Sequence, residues 1–470
     1  MNTRIIPWLL LAAACGSYSA PSTPPASDGG VSNVQTSLSS EASTVFVGDR
    51  TRLTAVFDGS GFIEGIGPVQ SGVAVETPPL ARTTTFLLRV THGGEQEQAS
   101  ATVDARYRNR IRVLAAAPFA QTNHLAAALP DGRAIVMGGN TSESPLVPDS
   151  SLTQIFDPIT ERFTRGPDLA FSAQAQIFTS VAPLARSFLL VGTGPNTGGG
   201  RLHSVITQVF DSAAPEFTRV GDAATPGTSF RTATPLLDGG VLLTGGFGPG
   251  TVRIVNSVNR FDPAAGQWRA VRGMGELRIA HTATLLRDGR ALVVGGLTCC
   301  QQPNPSPELF SLTAEIYDPS TDSFSPTGTM KRARGGHAAA MLFDGRVLIT
   351  GGDGNDPDTA PLATEIFDPA TGQFSSGGDL RTARDSHAAI TLTEGRVLVI
   401  GGELPPQLAG SGGVGGTEIF DPATGQWSAG PALVPAFFGA TVTMLTNGKI
   451  LIFGGQNTDG WPQAAAALFE

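Results

Sequence analysis

Four-residue apolar runs, each stopped by a glycine-bearing turn, recur along the last three quarters of the chain. HAAITLTEGRVLVIGG at 387–402 and HTATLLRDGRALVVGG at 281–296 show the unit: two apolar strands around an acidic-Gly turn, closed by a glycine doublet. An Asp-Gly or Asn-Gly pair between apolar runs is the strongest short signal for a hairpin. Turns of this kind stand at 131–132, 238–239, 288–289, 344–345, 394–395 and 447–448, with doublets at 138–139, 245–246, 295–296, 351–352, 401–402 and 454–455. A second hairpin alternates with the first. Its mark is an aromatic-Asp pair (Phe156, Phe210, Phe261, Tyr317, Phe367 and Phe420 precede the aspartates) with another aromatic six residues after the aspartate, at Phe163, Phe217, Trp268, Phe324, Phe374 and Trp427. The decapeptide TEIFDPATGQ, present at 364–373 and again at 417–426, is this element in its fullest form.

Two hairpins make four short strands every 50–56 residues, the period of a β-propeller blade. The glycine-closed hairpin is counted seven times, the second copy carrying Gly192-Thr193-Gly194 in place of the doublet, while the aromatic hairpin is complete only six times. Ile111 precedes His124 by the same 13 residues that separate Phe374 from His387 and Phe324 from His337. The stretch around 109–115 is therefore expected to supply the missing outer strand of the last blade and to remove an open edge. The repeats resemble kelch repeats of the galactose oxidase-like superfamily, over roughly 109–470. The expected fold is all-β: a seven-bladed kelch-type β-propeller at 107–470, closed by an N-terminal strand.

Before it, residues 34–106 alternate strand-like runs such as Thr85–Val90 and Ala101–Val103 with glycine turns. They resemble a bacterial immunoglobulin-like β-sandwich, without the cysteine pair or tryptophan of antibody domains. Residues 15–33 are a Ser/Pro/Gly/Ala tether, and 1–14 read as a signal peptide, with Arg4 ahead of the apolar run Ile5–Ala14. That run is too short to span a bilayer. Cys15, directly after three alanines, resembles the lipidated cysteine of a bacterial lipobox; ordinary cleavage after Ala14 is the alternative. Export is expected either way, as an outer-membrane or cell-surface lipoprotein in the first case and as a secreted or periplasmic protein in the second.

Composition narrows the function. There are 59 glycines, charged residues make up 15% and the net charge is −9 without a basic tract, so no nucleic-acid partner is expected. The lipid anchor is the only expected membrane contact, and no cofactor is expected. In a four-stranded meander the first and third turns share one face, and here they are short and uniform. The second and fourth connections share the other, and the second ones vary: NTSESPLVPDSSLT, TCCQQPNPSPELFSLT, DGNDPDTAPLAT and ELPPQLAGSGGVGGT. Variable loops on a rigid frame are where ligands bind, so this face is the candidate surface.

Arg278, Arg334 and Arg384 each lie three residues before a repeated histidine (His281, His337, His387) in consecutive repeats. They are the candidate ligand-binding residues, able to hold acidic glycans or peptide carboxylates by paired hydrogen bonds; pairing with neighbouring carboxylates is the competing reading. The histidines, with His124, are assigned to repeated packing in preference to a metal site. Cys299-Cys300 could close a vicinal disulfide, ligate metal or do neither. The run Asp353–Asp358 lacks calcium-loop spacing, and no metal site is assigned. A copper radical oxidase, to which the superfamily resemblance points, needs a tyrosine crosslinked to a cysteine, a second tyrosine and two histidines. Tyr317 sits at a packing position and Tyr107 at the edge of the repeats, so that activity is not expected. A sugar mutarotase, with Glu403 or Asp353 moving protons, is the alternative to a non-catalytic binding protein, which is the reading adopted.

Overall fold

The computed structural model describes residues 35–122, 124–139, 151–170, 180–183, 187–193, 205–211, 214–221, 231–248, 253–298, 310–354, 362–404, 413–433, 439–456 and 461–470. Cys15, the tether, Cys299, Cys300 and the rest of the acidic run beyond Gly354 lie outside them.

Among the described residues every regular element is a strand. Seven four-stranded antiparallel sheets follow one another along the chain. The fifth is typical, with strands Ala338–Met341, Val347–Thr350, Ala363–Asp368 and Gln373–Asp379. First strands of consecutive sheets pack side by side, and that of the seventh (Thr441–Met444) packs against that of the first (Leu125–Ala128), so the sheets form a closed ring. The seventh sheet takes its fourth strand, Ile111–Val113, from the start of the repeat region, paired with Ala466–Phe469 in the register Phe469 to Ile111.

Residue choice follows position in the ring. Second strands (AIVM, VLLT, ALVV, VLIT, VLVI, ILIF) are buried throughout, because a neighbouring sheet covers each of their faces. First strands, crowded towards the centre, carry small residues such as LAAA, TATL and AAIT. The paired aromatics face each other across the third and fourth strands, with centroids 5.0 Å apart for Phe156–Phe163 and for Phe367–Phe374, and 5.1 Å for Phe420–Trp427. This tilted arrangement suits ring quadrupoles.

The repeated aspartate makes the turn. Asp368 Oδ1 accepts the Ala370 amide at 2.9 Å, and Asp157, Asp262, Asp318 and Asp421 do the same two residues on. In most copies the intervening residue is proline, which has no amide to satisfy. Four residues after the aspartate the backbone has positive φ: Gly266, Gly372 and Gly425, but also Glu161 and Asp322. Those two side chains are held by Arg112 and by Tyr317. Asp368→Ala should lower stability by about 1 kcal/mol, read as a shifted urea midpoint with unchanged slope; no shift would remove this account of the decapeptide.

The glycine doublet joins sheets. Gly352 has φ +96, and a Cβ there would lie 2.7 Å from the Gly335 carbonyl oxygen; its amide donates to the Arg384 carbonyl at 2.9 Å. Gly246, Gly296 and Gly455 donate in the same way to Arg278, Arg334 and Gln121.

Residues 37–106 form two further sheets, one of three strands (Ser37–Ser40, Arg52–Val56, Ala74–Glu76) and one of five. In the latter, Thr44–Phe46 runs parallel to the end of Glu95–Arg106. Leu53, Ile63, Phe86, Leu88 and Val103 are buried between them, in a core continuous with Leu392, Ile450 and Phe469 of the ring. The sandwich sits on the turns of the sixth and seventh sheets. Tyr107 donates its hydroxyl to the Gly448 carbonyl at 2.6 Å, Thr393 donates to the Ala81 carbonyl at 2.5 Å, and Arg396 donates to Asn109 at 3.0 Å. At Gly448 a Cβ would meet Ala81 O and Val47 Cγ1, both at 2.7 Å. Only glycine lets the two units approach this closely.

Candidate functional site

The three arginines proposed as ligand contacts are fully buried, at 0% exposure each. Arg334 donates to Gly351 O at 2.9 Å, to Ala363 O at 3.0 Å and to Glu365 Oε1 at 3.0 Å. Arg384 does the same with Gly401 O, Gly416 O and Glu418, and Arg278 with Gly295 O, Thr313 and Glu315. Each glutamate also accepts two amides from the segment leading to its arginine, as Glu365 does from Lys331 and Arg332. The expectation that Arg278, Arg334 and Arg384 present a charged surface is therefore corrected. Their Nη donors are spent on carbonyls and a carboxylate inside the sheet, stapling the incoming connection to the third strand, while each Nε is buried without a partner among the described residues. Burial lowers the pKa of Arg334 and of Arg384, and their glutamates oppose the shift.

The first sheet carries a neutral version of this staple. Gln121 donates to Gly138 O at 2.6 Å and accepts from Gln154 at 2.6 Å, and Gln154 accepts the Phe119 amide. The signal was available in the chain: glutamate stands on the third strand at 315, 365 and 418, in the same repeats that have arginine, and Gln154, Gln208 and Asn259 stand there in the first three repeats.

The histidines are staples of a second kind. Nε2 of His281 is 2.8 Å from Thr244 Oγ1, His387 is 2.8 Å from Thr350, His337 is 2.9 Å from Thr282 and His124 is 2.9 Å from Thr441. Each bond reaches back to the preceding sheet of the ring. Burial holds the imidazoles neutral, pushing His124 down to about 4, His281 and His387 to about 3, and His337 well below its ordinary value.

Three acidic groups stand together at the connection end of the ring, where the fourth connections also carry the exposed Lys331, Arg332 and Arg381. Asp353 follows the doublet of the fifth sheet, Glu403 that of the sixth, and Asp385 follows Arg384. Backbone bridges align them: Asp385 N donates to Glu403 O at 3.0 Å and Glu403 N to Asp385 O at 3.1 Å, while Asp353 exchanges the same pair with Gly335. Asp385 Oδ1 is buried and accepts nothing. Burial first, then the charges of Glu403 and Asp353, push the Asp385 carboxyl up to about 7, with Ser386 opposing. A group titrating there can give or take a proton at neutral pH. The sequence had singled out Glu403 and Asp353; Asp385 was missed, because only the fold brings it beside them.

No family model matches the chain, and no curated protein does. A solved structure does: a novel fungal alcohol oxidase of the AA5 family, in complex with copper, superposes with TM-score 0.54 at 15% identity, covering 77% of this chain and 75% of that one. The likeness is one of fold, an all-β ring of four-stranded sheets. The residues described here do not fit a copper radical centre. Tyr317 is buried with its hydroxyl donated to Asp322 at 2.5 Å, Tyr107 is bound to Gly448 under the sandwich, and the four repeat histidines bond threonines between sheets. Among the described residues no three His, Cys, Asp or Glu side chains converge to hold a metal.

Proposed function

We propose that the protein is a non-catalytic recognition protein: a lipid anchor at Cys15, a flexible tether, an immunoglobulin-like domain and a seven-bladed kelch-type propeller whose variable-connection face takes a glycan or protein ligand. The observation that carries this reading is the seat of the sandwich. It covers turns of the sixth and seventh sheets through Tyr107–Gly448 and Thr393–Ala81, which leaves the opposite end, with its variable connections, outside those contacts. A rigid ring with one end occupied by its own chain suits presentation of the other. With the arginines inside, Asp353, Asp385 and Glu403 favour basic or hydroxyl-rich ligands over the acidic ones first expected.

The test is capture from arrays of glycans and peptides by the full chain, beside an Asp353→Asn, Asp385→Asn, Glu403→Gln variant and an Asp344→Asn control on the turn face. Capture lost in the first variant and kept in the control is the expected result. Capture that survives in the folded triple variant overturns the assignment of the surface. A sugar-isomerising activity is the second reading, favoured by the proton that Asp385 exchanges near neutrality. It requires turnover of a reducing sugar with a pH inflection near that value, abolished by Asp385→Asn.

A further inference from the structure

A cleft of about 450 Å³ opens at the rim of the fourth sheet (Thr282–Leu285, Ala291–Val294, Ala314–Asp318, Ser323–Pro326), with none of the acidic trio in its lining. That volume lies in the range of small-molecule pockets. Its cause is local. The segment leading to each buried arginine reads Gly273-Met274-Gly275-Glu276 here, Thr329-Met330-Lys331-Arg332 in the fifth repeat and Asp379-Leu380-Arg381-Thr382 in the sixth. Two glycines stand where the other copies carry side chains.

Besides Glu315, Thr313, Thr327 and Thr329, the lining has an apolar floor, a carboxylate and a guanidinium. Met274, 2% exposed, and Phe324, packed 5.1 Å from Tyr317, supply an apolar floor. Glu276 is fixed through one oxygen: Oε2 accepts from Ser311 at 2.9 Å and Thr313 at 2.8 Å, and lies 3.3 Å from Arg278. None of the described residues donates to its other oxygen. Arg272 is exposed at the lip and, among the described residues, is in no ion pair. The two charges do not pair with each other, although both line one cleft.

We propose that this cleft binds a small zwitterion of amino-acid type with an apolar side chain. Glu276 would receive the ammonium, Arg272 would grip the carboxylate with its planar fork, and the side chain would lie on Met274 and Phe324. A guanidinium and a carboxylate flanking an apolar floor match all three parts of such a ligand. A sugar would leave the guanidinium without an anion. The cleft lies at the same end of the ring as the proposed ligand face, but none of Asp353, Asp385 and Glu403 lines it, so the two proposals are tested by different variants.

Calorimetry on the full chain tests it, with L-leucine and L-phenylalanine as probes, phenethylamine and phenylacetate as analogues lacking one charge, and D-glucose as a neutral polyol. Saturable binding of an amino acid is expected, with each single-charge analogue weaker by about tenfold or more. Gly275→Lys copies the fifth repeat, where Lys331 keeps the same amide-to-glutamate bond at 2.8 Å. A Cβ at 275 would lie 3.2 Å from Glu315 Oε2, so folding of the variant is checked by its melting temperature. The folded variant should fill the cleft and abolish binding, and Arg272→Ala should weaken binding at least about tenfold. No binding of either amino acid, equal binding of glucose or phenethylamine, or full affinity in folded Gly275→Lys would each overturn the proposal. Should Gly275→Lys fail to fold, the surface variant Arg272→Ala decides.

Discussion

Glu365→Ala is expected to cost the fold about 3–5 kcal/mol, because it leaves the guanidinium of Arg334 buried without its carboxylate. Arg334 has 0% exposure and lies 3.0 Å from Glu365, so neither charge can turn to water when its partner is removed. Glu365 is also the acceptor for the Lys331 and Arg332 amides, and alanine orphans both. Arg334→Gln alone should be comparably harmful for the converse reason, an unpaired buried carboxylate. The double variant Arg334→Gln, Glu365→Gln should recover much of the loss. It approximates Gln121 and Gln154, which tie the same glycine carbonyl and incoming segment to the third strand of the first sheet without charge, with the bond between the two side chains running the other way. Urea unfolding of the wild type, Arg334→Gln, Glu365→Gln and the double variant as a double-mutant cycle should return a coupling of at least about 2 kcal/mol. If the double variant is no more stable than the worse single, the staple is not a unit. The same geometry predicts that Arg334→Glu does not fold: it places a second carboxylate beside Glu365 in a dry interior.

Acidification from pH 6.5 towards 4 is expected to unfold the protein cooperatively. The four interior histidines titrate near 6.5 once unfolded but at about 4 for His124, about 3 for His281 and His387, and well below the ordinary value for His337 while folded. In that window the unfolded chain binds protons that the folded chain refuses. Stability is complete above the unfolded pKa and falls as pH drops towards the folded ones. Each histidine contributes a slope of about 1.4 kcal/mol per pH unit. Asp385 works against them: raised to about 7, it holds a proton in the folded state that the unfolded state releases until about pH 4. The net uptake of about three protons gives a slope of about 4 kcal/mol per pH unit and so removes about 10 kcal/mol across the window, the middle of the typical stability range of about 5–15 kcal/mol. His281→Gln, which keeps a donor towards Thr244, should flatten the slope by about one proton. An acid midpoint that ignores the number of histidines replaced would show that their burial is not what limits acid stability.

Much of the ring is legible in the order of residues. The Asp-Gly turns, the aspartate that caps its own turn and the aromatic six residues later act across a few residues, so local chemistry and alternation suffice to read them. The closing strand was legible for a related reason. Ile111 keeps the repeat's spacing to His124, and its pairing with Phe469 follows.

What the sequence by itself determined is this periodic frame, since hairpin turns and buried second strands depend on near neighbours. Only the tertiary structure decided which charges meet water. Arg278, Arg334 and Arg384 look like a cationic arc in a linear reading. Their glutamates stand more than thirty residues further along, and only the returning third strand brings them within hydrogen-bond distance. Asp385 acquired its proton affinity in the same way, from burial first and then from acidic residues of two sheets. The seat of the sandwich on one end of the ring likewise depended on shape, through a glycine at 448 that permits a 2.6 Å bond from Tyr107. A side chain's exposure is set by whatever packs over it, and here that cover comes from another repeat.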